Sequence, residues 1–176
     1  MRLRRPPVCA VALLAASLLG PIGSAARAAA SPTPAPSTSA AKLAFVAPAG
    51  WKHLQGTSDG LGSWQGPGDS DYYQNIVLDV KPGFASLDAL LQAEVHYIAS
   101  LPDQFGYAPT NTTLCGNHPG MYLSYTYTSS TGLPVTAEEM IAVFGTTGYR
   151  LRYSKSIEQE ANVAAEKSLT TLCGRT

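Results

Sequence analysis

The 176-residue chain balances twelve Lys and Arg against twelve Asp and Glu, so its formal charge is zero. Four of the basic residues (Arg2, Arg4, Arg5 and Arg27) lie in residues 1–28, which hold no acidic residue, so a chain lacking that start carries eight basic against twelve acidic residues, a charge of −4. A mildly acidic surface without a basic cluster excludes nucleic acid, whose phosphates need a positive stripe, and argues equally against anionic lipid head groups.

Arg2, Arg4 and Arg5 lead into an apolar run at residues 8–19, broken by Gly20 and Pro21 and followed by small residues through Ala30. A positive start, a short apolar middle and an Ala-x-Ala end predict an export signal over residues 1–28. The run is shorter than the roughly 20 residues a membrane span needs, and no later segment is longer, so no stable membrane insertion is expected. Cys9 follows Pro6-Pro7-Val8 rather than a lipobox, which argues against a lipid anchor. Residues 29–41, rich in Pro, Ser, Thr and Ala, contain no large apolar side chain to offset the entropy of ordering and are read as a spacer. One globular domain is expected over residues 42–176.

Within that domain, residues 42–46, 51–55 and 62–65 read as short strands separated by Gly- and Pro-rich turns. Residues 74–80 alternate, with Ile76, Leu78 and Val80 opposite Asn75, Val77 and Asp79, which is the period of a strand. Ser86 is positioned as the N-cap of a helix reaching about residue 101, and Asp88 in its first turn suits the helix dipole. Leu87, Leu90, Leu91, Ile98 and Leu101 form its apolar stripe. Residues 111–115, 121–128, 136–144 and 149–154 follow as strands, with tight hairpins at 129–132 and 145–148. Ser156 and Gln159 match a capping box, predicting a last helix over about 158–172 with Ala161, Ala165, Leu169 and Leu172 buried. The pattern predicts an α+β domain: an antiparallel sheet packed with two main helices.

The segment Phe45-Val46-Ala47-Pro48-Ala49-Gly50-Trp51, the helix at 86–101, the turn Gly116-Asn117-His118-Pro119 and the run Gly148-Tyr149 with Leu151 and Tyr153 carry a resemblance. Over nearly all of residues 42–173 the chain resembles the PsbP/Mog1-like family of α/β/α sandwich domains. That family includes photosystem II extrinsic subunits, a nuclear-transport accessory factor and secreted bacterial proteins of unknown role. The resemblance implies a sandwich fold and a binding or accessory role, and it carries no catalytic motif onto this chain. The alternative fold is a cystatin- or NTF2-like curved sheet wrapped on a helix.

Loss of the signal removes Cys9 and leaves Cys115 and Cys173 in an oxidising compartment, where a disulfide tying the last helix to the sheet is expected. The competing reading is a reactive or metal-binding thiol pair, but neither cysteine lies in Cys-x-x-Cys. Glu94 falls at the centre of the apolar helix stripe, where a carboxylate must find a donor or stay protonated. Tyr125, Tyr127, Tyr149, Tyr153, Arg150 and Arg152 are its candidate donors. Glu94 with Tyr125 and Tyr153 is the candidate ligand pocket; the plainer reading is an internal network.

His53, His96 and His118 are scattered, and Asp59, Asp69 and Asp71 lack the ligand spacing of a calcium loop. Neither set predicts a metal, and no motif calls for a cofactor or a catalytic set. No serine sits in a nucleophile motif. Asn111-Thr112-Thr113 is a formal sequon on a chain whose signal looks bacterial, so no glycan is expected. Trp51, Trp64, Tyr72 and Tyr73 are read as core residues or as an aromatic binding face. The expected role is a secreted, non-enzymatic module binding an envelope or extracellular protein or a small ligand, or a structural accessory subunit of an envelope complex. The alternative is a small secreted hydrolase using a pocket carboxylate or a histidine.

Overall fold

The computed structural model describes residues 42–54, 60–69 and 71–175. The expected signal peptide and spacer, with Cys9 and Asp59, lie outside the described residues. Strands β1 (Lys42–Ala44), β2 (Lys52–Leu54), β3 (Gly60–Gly68) and β4 (Tyr73–Pro82) precede helix α1 (Leu87–Ala99). Strands β5 (Phe105–Leu114), β6 (His118–Thr128), β7 (Pro134–Phe144) and β8 (Thr147–Ser156) follow, then helix α2 (Val163–Leu169) and strand β9 (Cys173–Arg175).

Seven strands form one sheet in the order β2-β3-β4-β8-β7-β6-β5, every neighbouring pair antiparallel. β1 and β9 make a separate antiparallel ribbon. Because β4 pairs with β8 while β5 lies at the far edge, the chain must cross one face of the sheet between them. α1 makes that crossing.

The period-two pattern sorts side chains to two faces. Met121, Leu123 and Tyr125 of β6 and Ala137 and Ile141 of β7 pack with Leu90 and Ile98 of α1. On the other face, Ile76 and Leu78 of β4, Met140 of β7 and Tyr149, Leu151 and Tyr153 of β8 pack with Ala165, Leu169 and Leu172. A helix on each face makes three layers, the α+β sandwich the sequence predicts. Each fully buried aliphatic side chain adds roughly 1.5–3 kcal/mol of transfer free energy.

Helix α1 starts as predicted, the Ser86 hydroxyl accepting from the Ala89 N–H at 3.2 Å. The last helix does not. Only half of the box forms: the Gln159 carbonyl oxygen Oε1 accepts from the Ser156 N–H at 3.1 Å, but the Ser156 hydroxyl accepts from the Glu158 N–H at 3.3 Å, and these residues close a turn instead of opening a helix. Asn162 is the true cap: its Oδ1 accepts from the N–H groups of Ala164 and Ala165 at 3.1 and 3.2 Å. The helix is therefore seven residues long, and the residues beyond Leu172 turn into β9. Asn162→Ala is expected to lower stability by about 1 kcal/mol in urea unfolding, whereas Ser156→Ala, under the helix-start reading, would lose as much.

Strand β5 is twice the length its sequence suggests. Gly106 and Pro109 interrupt its apolar pattern, yet Pro109 is tolerated because β5 is an edge strand and loses no ladder bond on its open side.

Candidate functional site

The α1 face of the sheet carries a buried charge cluster, and strand register builds it. In β4 the alternation that buries Ile76 and Leu78 on one face sends Asp79 and Lys81 to the other. In β8 it sends Arg150 and Arg152 to the same side, and Asp79 lies directly opposite Arg150. Glu139 of β7 lies opposite Arg152. From α1, the i, i+4, i+8 row Leu90, Glu94 and Ile98 points down onto this surface, leaving Glu94 0% exposed.

Arg150 is the hub. Its Nε donates to Asp79 Oδ2 at 2.8 Å, its Nη2 pairs with the same oxygen, and its Nη1 donates to Glu94 Oε2 at 3.0 Å. Lys81 pairs with the other oxygen of Glu94. The guanidinium also stands 4.8 Å from the centre of the Tyr97 ring. Burial acts to lower the pKa of Arg150, but the carboxylates of Glu139, Glu94 and Asp79 outweigh it and hold the group charged. Two acids thus meet two bases, so the interior holds no uncompensated charge at this point. The arrangement can fasten α1 to β4 and β8.

Beside it, the Tyr125 hydroxyl donates to Glu139 Oε1, and Arg152 Nη1 donates to the Tyr97 hydroxyl at 3.0 Å. Glu139 Oε2, Arg152 Nε and the Tyr107 hydroxyl are buried without a hydrogen-bond partner among the described residues. Burial raises the pKa of Glu139 and outweighs Arg150, Arg152 and the Tyr125 hydroxyl, which lower it. A carboxyl raised in this way binds its proton better folded than unfolded. Its contribution to stability is complete below an ordinary glutamate's 4.5 and is lost as pH rises through the folded value. Glu139→Gln, which cannot ionise, is therefore expected to gain on the unaltered protein as pH climbs from about 4 to about 8, followed by urea midpoints. Parallel profiles would contradict this.

The structure places Glu94 and Tyr125 on one face of the sheet and Tyr153 on the other. Tyr153 donates to Gln74 Oε1 at 2.9 Å and accepts from the Asn162 N–H at 3.1 Å, so the sheet separates it from Glu94. Of the candidate donors to Glu94, Arg150 makes the contact. Lys81 is the partner the sequence reading omits, because the predicted strand stops at residue 80; β4 continues to Pro82, and the alternation Val77, Asp79, Lys81 places Lys81 on the face of Asp79.

His118 bonds the Val143 carbonyl at 2.8 Å, His53 packs on Trp64 with centroids 4.9 Å apart, and His96 is exposed on α1. No group of three metal-ligating side chains occurs among the described residues. Asp69 accepts from the N–H groups of Asp71 and Tyr72 at 2.9 and 3.1 Å, and the Tyr72 N–H chiefly lowers its pKa. The aromatic residues also divide. Trp64 packs edge-on against Phe45, the Tyr72 hydroxyl donates to Ser154 Oγ at 3.3 Å, and Trp51 and Tyr73 line a cleft of about 490 Å³.

Cys115 and Cys173 form a disulfide with their Cα atoms 5.6 Å apart. Cys173 lies on β9, not at a helix end, and Cys115 follows β5. The bridge thus joins the β1–β9 ribbon to the β5–β6 turn.

No family model matches the chain, and no curated protein matches it. Among solved structures it is similar to LpqN of Mycobacterium tuberculosis, described as involved in cell envelope biogenesis. The two are 19% identical, the match covers 74% of this chain and 82% of LpqN, and the TM-score is 0.57. A Pseudomonas aeruginosa protein of unknown function, PA94, matches at 8% identity over 61% of this chain and 83% of its own, with a TM-score of 0.49. The chain therefore shares its fold with LpqN, an α+β arrangement with an open, antiparallel seven-stranded sheet.

Proposed function

We propose that this chain is an exported, non-enzymatic module of the PsbP/Mog1-like kind that works by binding at or outside the cell envelope. Residues 1–28 would direct export, residues 29–41 would act as spacer, and residues 42–176 would be the working domain. The observation that carries the reading is the position of Glu94. The carboxylate that a pocket-based hydrolase would use is sealed between Arg150 and Lys81, where it clamps a helix and is fully buried. The disulfide fits an oxidising compartment. The fold likeness to LpqN, a protein described as involved in cell envelope biogenesis, points to the same setting.

The test is capture of partners by the exported form from its own envelope or medium, run beside a panel of hydrolase substrates. A stoichiometric partner without turnover is the expected result. Turnover by the isolated protein, lost in Glu94→Gln, would reverse the reading in favour of the hydrolase.

A further inference from the structure

We infer that the cleft at the β2–β3 end of the sheet binds a saccharide, with Trp51 as its stacking platform. The inference rests on the binding-module reading above and names the ligand class for it. The cleft, of about 490 Å³, falls in the usual range for small-molecule sites and is lined by Trp51, Lys52, Gln65, Gly66, Tyr73 and Asn162 among others.

Three features set it apart from a packing defect. Gly66 is the seat of the indole: a Cβ there would run into ring atoms Cδ2, Cε2 and Cζ2 of Trp51. The backbone of Gly66 is not in the left-handed region, so the glycine provides close approach rather than an unusual turn. The ring thus lies against bare strand backbone, steadied by Tyr153 with centroids 6.2 Å apart. Tyr73, at the same cleft, is 47% exposed, which core packing does not account for. Finally, the side chains of Lys52, Gln65 and Tyr73 enter no hydrogen bond or ion pair among the described residues. The amide nitrogen of Asn162 is likewise unengaged there, although its oxygen caps α2.

A seated aromatic ring beside unengaged amide, phenol and ammonium groups matches the two surfaces of a sugar. The C–H face of a pyranose is apolar and stacks on an indole, while the surrounding hydroxyls both donate and accept. A purely apolar ligand would use the ring but desolvate these polar groups without replacing their hydrogen bonds to water, and a proline-rich peptide offers them carbonyl acceptors but no proline N–H donor for the Gln65 amide oxygen.

The test titrates the exported protein with chitotetraose, cellotetraose and maltotetraose, with a proline-rich peptide as control. Fluorescence is the readout, Trp51 and Trp64 being the chain's two tryptophans. Saturable binding of at least one oligosaccharide is expected. It should weaken about tenfold in Tyr73→Ala, at an exposed side chain, and in Gln65→Ala, at a half-buried one whose side chain makes no hydrogen bond among the described residues, with each variant's melting temperature measured beside its titration, and further in Gly66→Ala, which displaces the indole. Flat titrations with all three sugars, saturation by the peptide alone, or sugar binding untouched in Tyr73→Ala and Gln65→Ala would each overturn the site. The two proposals fail separately. Flat titrations with a protein captured from the envelope overturn the sugar site and leave the module reading intact. Turnover on the hydrolase panel overturns the module reading, and the sugar site then stands or falls on the titrations.

Discussion

Replacing Cys173 with serine is expected to lower stability by about 4 kcal/mol and the melting temperature by on the order of 10–15 °C. The two cysteines are 58 residues apart, and cross-linking a loop of that length removes much of the unfolded chain's freedom. The bridge also has a specific local task. β9 is three residues long and pairs only with β1, itself three residues long, with Ala44 opposite Cys173. A ribbon that short cannot persist by its own ladder, so the link to the β5–β6 turn supplies the attachment. Cys115→Ser should cost the same as Cys173→Ser, and the double variant no more than either, because all three remove one bond. Scanning calorimetry checks this; a melt unchanged in Cys173→Ser would show that the link does not hold the ribbon.

The second large effect is expected at Arg150. Arg150→Met should cost about 3–5 kcal/mol, because it leaves the carboxylates of Asp79 and Glu94 buried beside Lys81 alone. The cost comes from stranded charge more than from a lost attraction, and that distinction can be measured. Adding Glu94→Gln to Arg150→Met should recover part of the loss, giving a coupling of about 0.5–3 kcal/mol in a double-mutant cycle by urea unfolding. Additive losses would show that Glu94 and Arg150 do not act on each other. A loss under about 1 kcal/mol for Arg150→Met alone would match a solvated surface pair instead.

The reach of the sequence differs from element to element. Strands β4, β6 and β8 are legible because each sets mostly apolar residues on one face against mostly polar or charged ones on the other, so period two survives in the residues themselves. The α1 stripe is legible for the same reason, and Glu94 stands out within it as the one residue that does not belong. β9 is illegible because its partner β1 lies about 130 residues earlier and Cys173-Gly174-Arg175 has no pattern of its own. The start of α2 misleads because Gln159 does reach back to the Ser156 N–H as in a capping box, while the Ser156 hydroxyl takes the Glu158 N–H and Asn162 sets the real boundary.

The candidate pocket fails at Tyr153 for a reason that was present in the sequence. Tyr149, Leu151 and Tyr153 alternate against Arg150 and Arg152, so a carboxylate that meets Arg150 cannot also meet Tyr153. The Trp51 cleft is harder to foresee, since it is assembled from β2, β3, β4 and the α2 cap, segments joined only by strand register and helix packing.

Intact-mass spectrometry of the native protein recovered from the medium or envelope, without reduction, tests the account most directly. The account predicts a chain beginning near Ala29, lighter by two hydrogens than its reduced sequence and carrying no alkylatable thiol. A chain still beginning at Met1, or one in which Cys115 and Cys173 both take up an alkylating reagent before reduction, would contradict it.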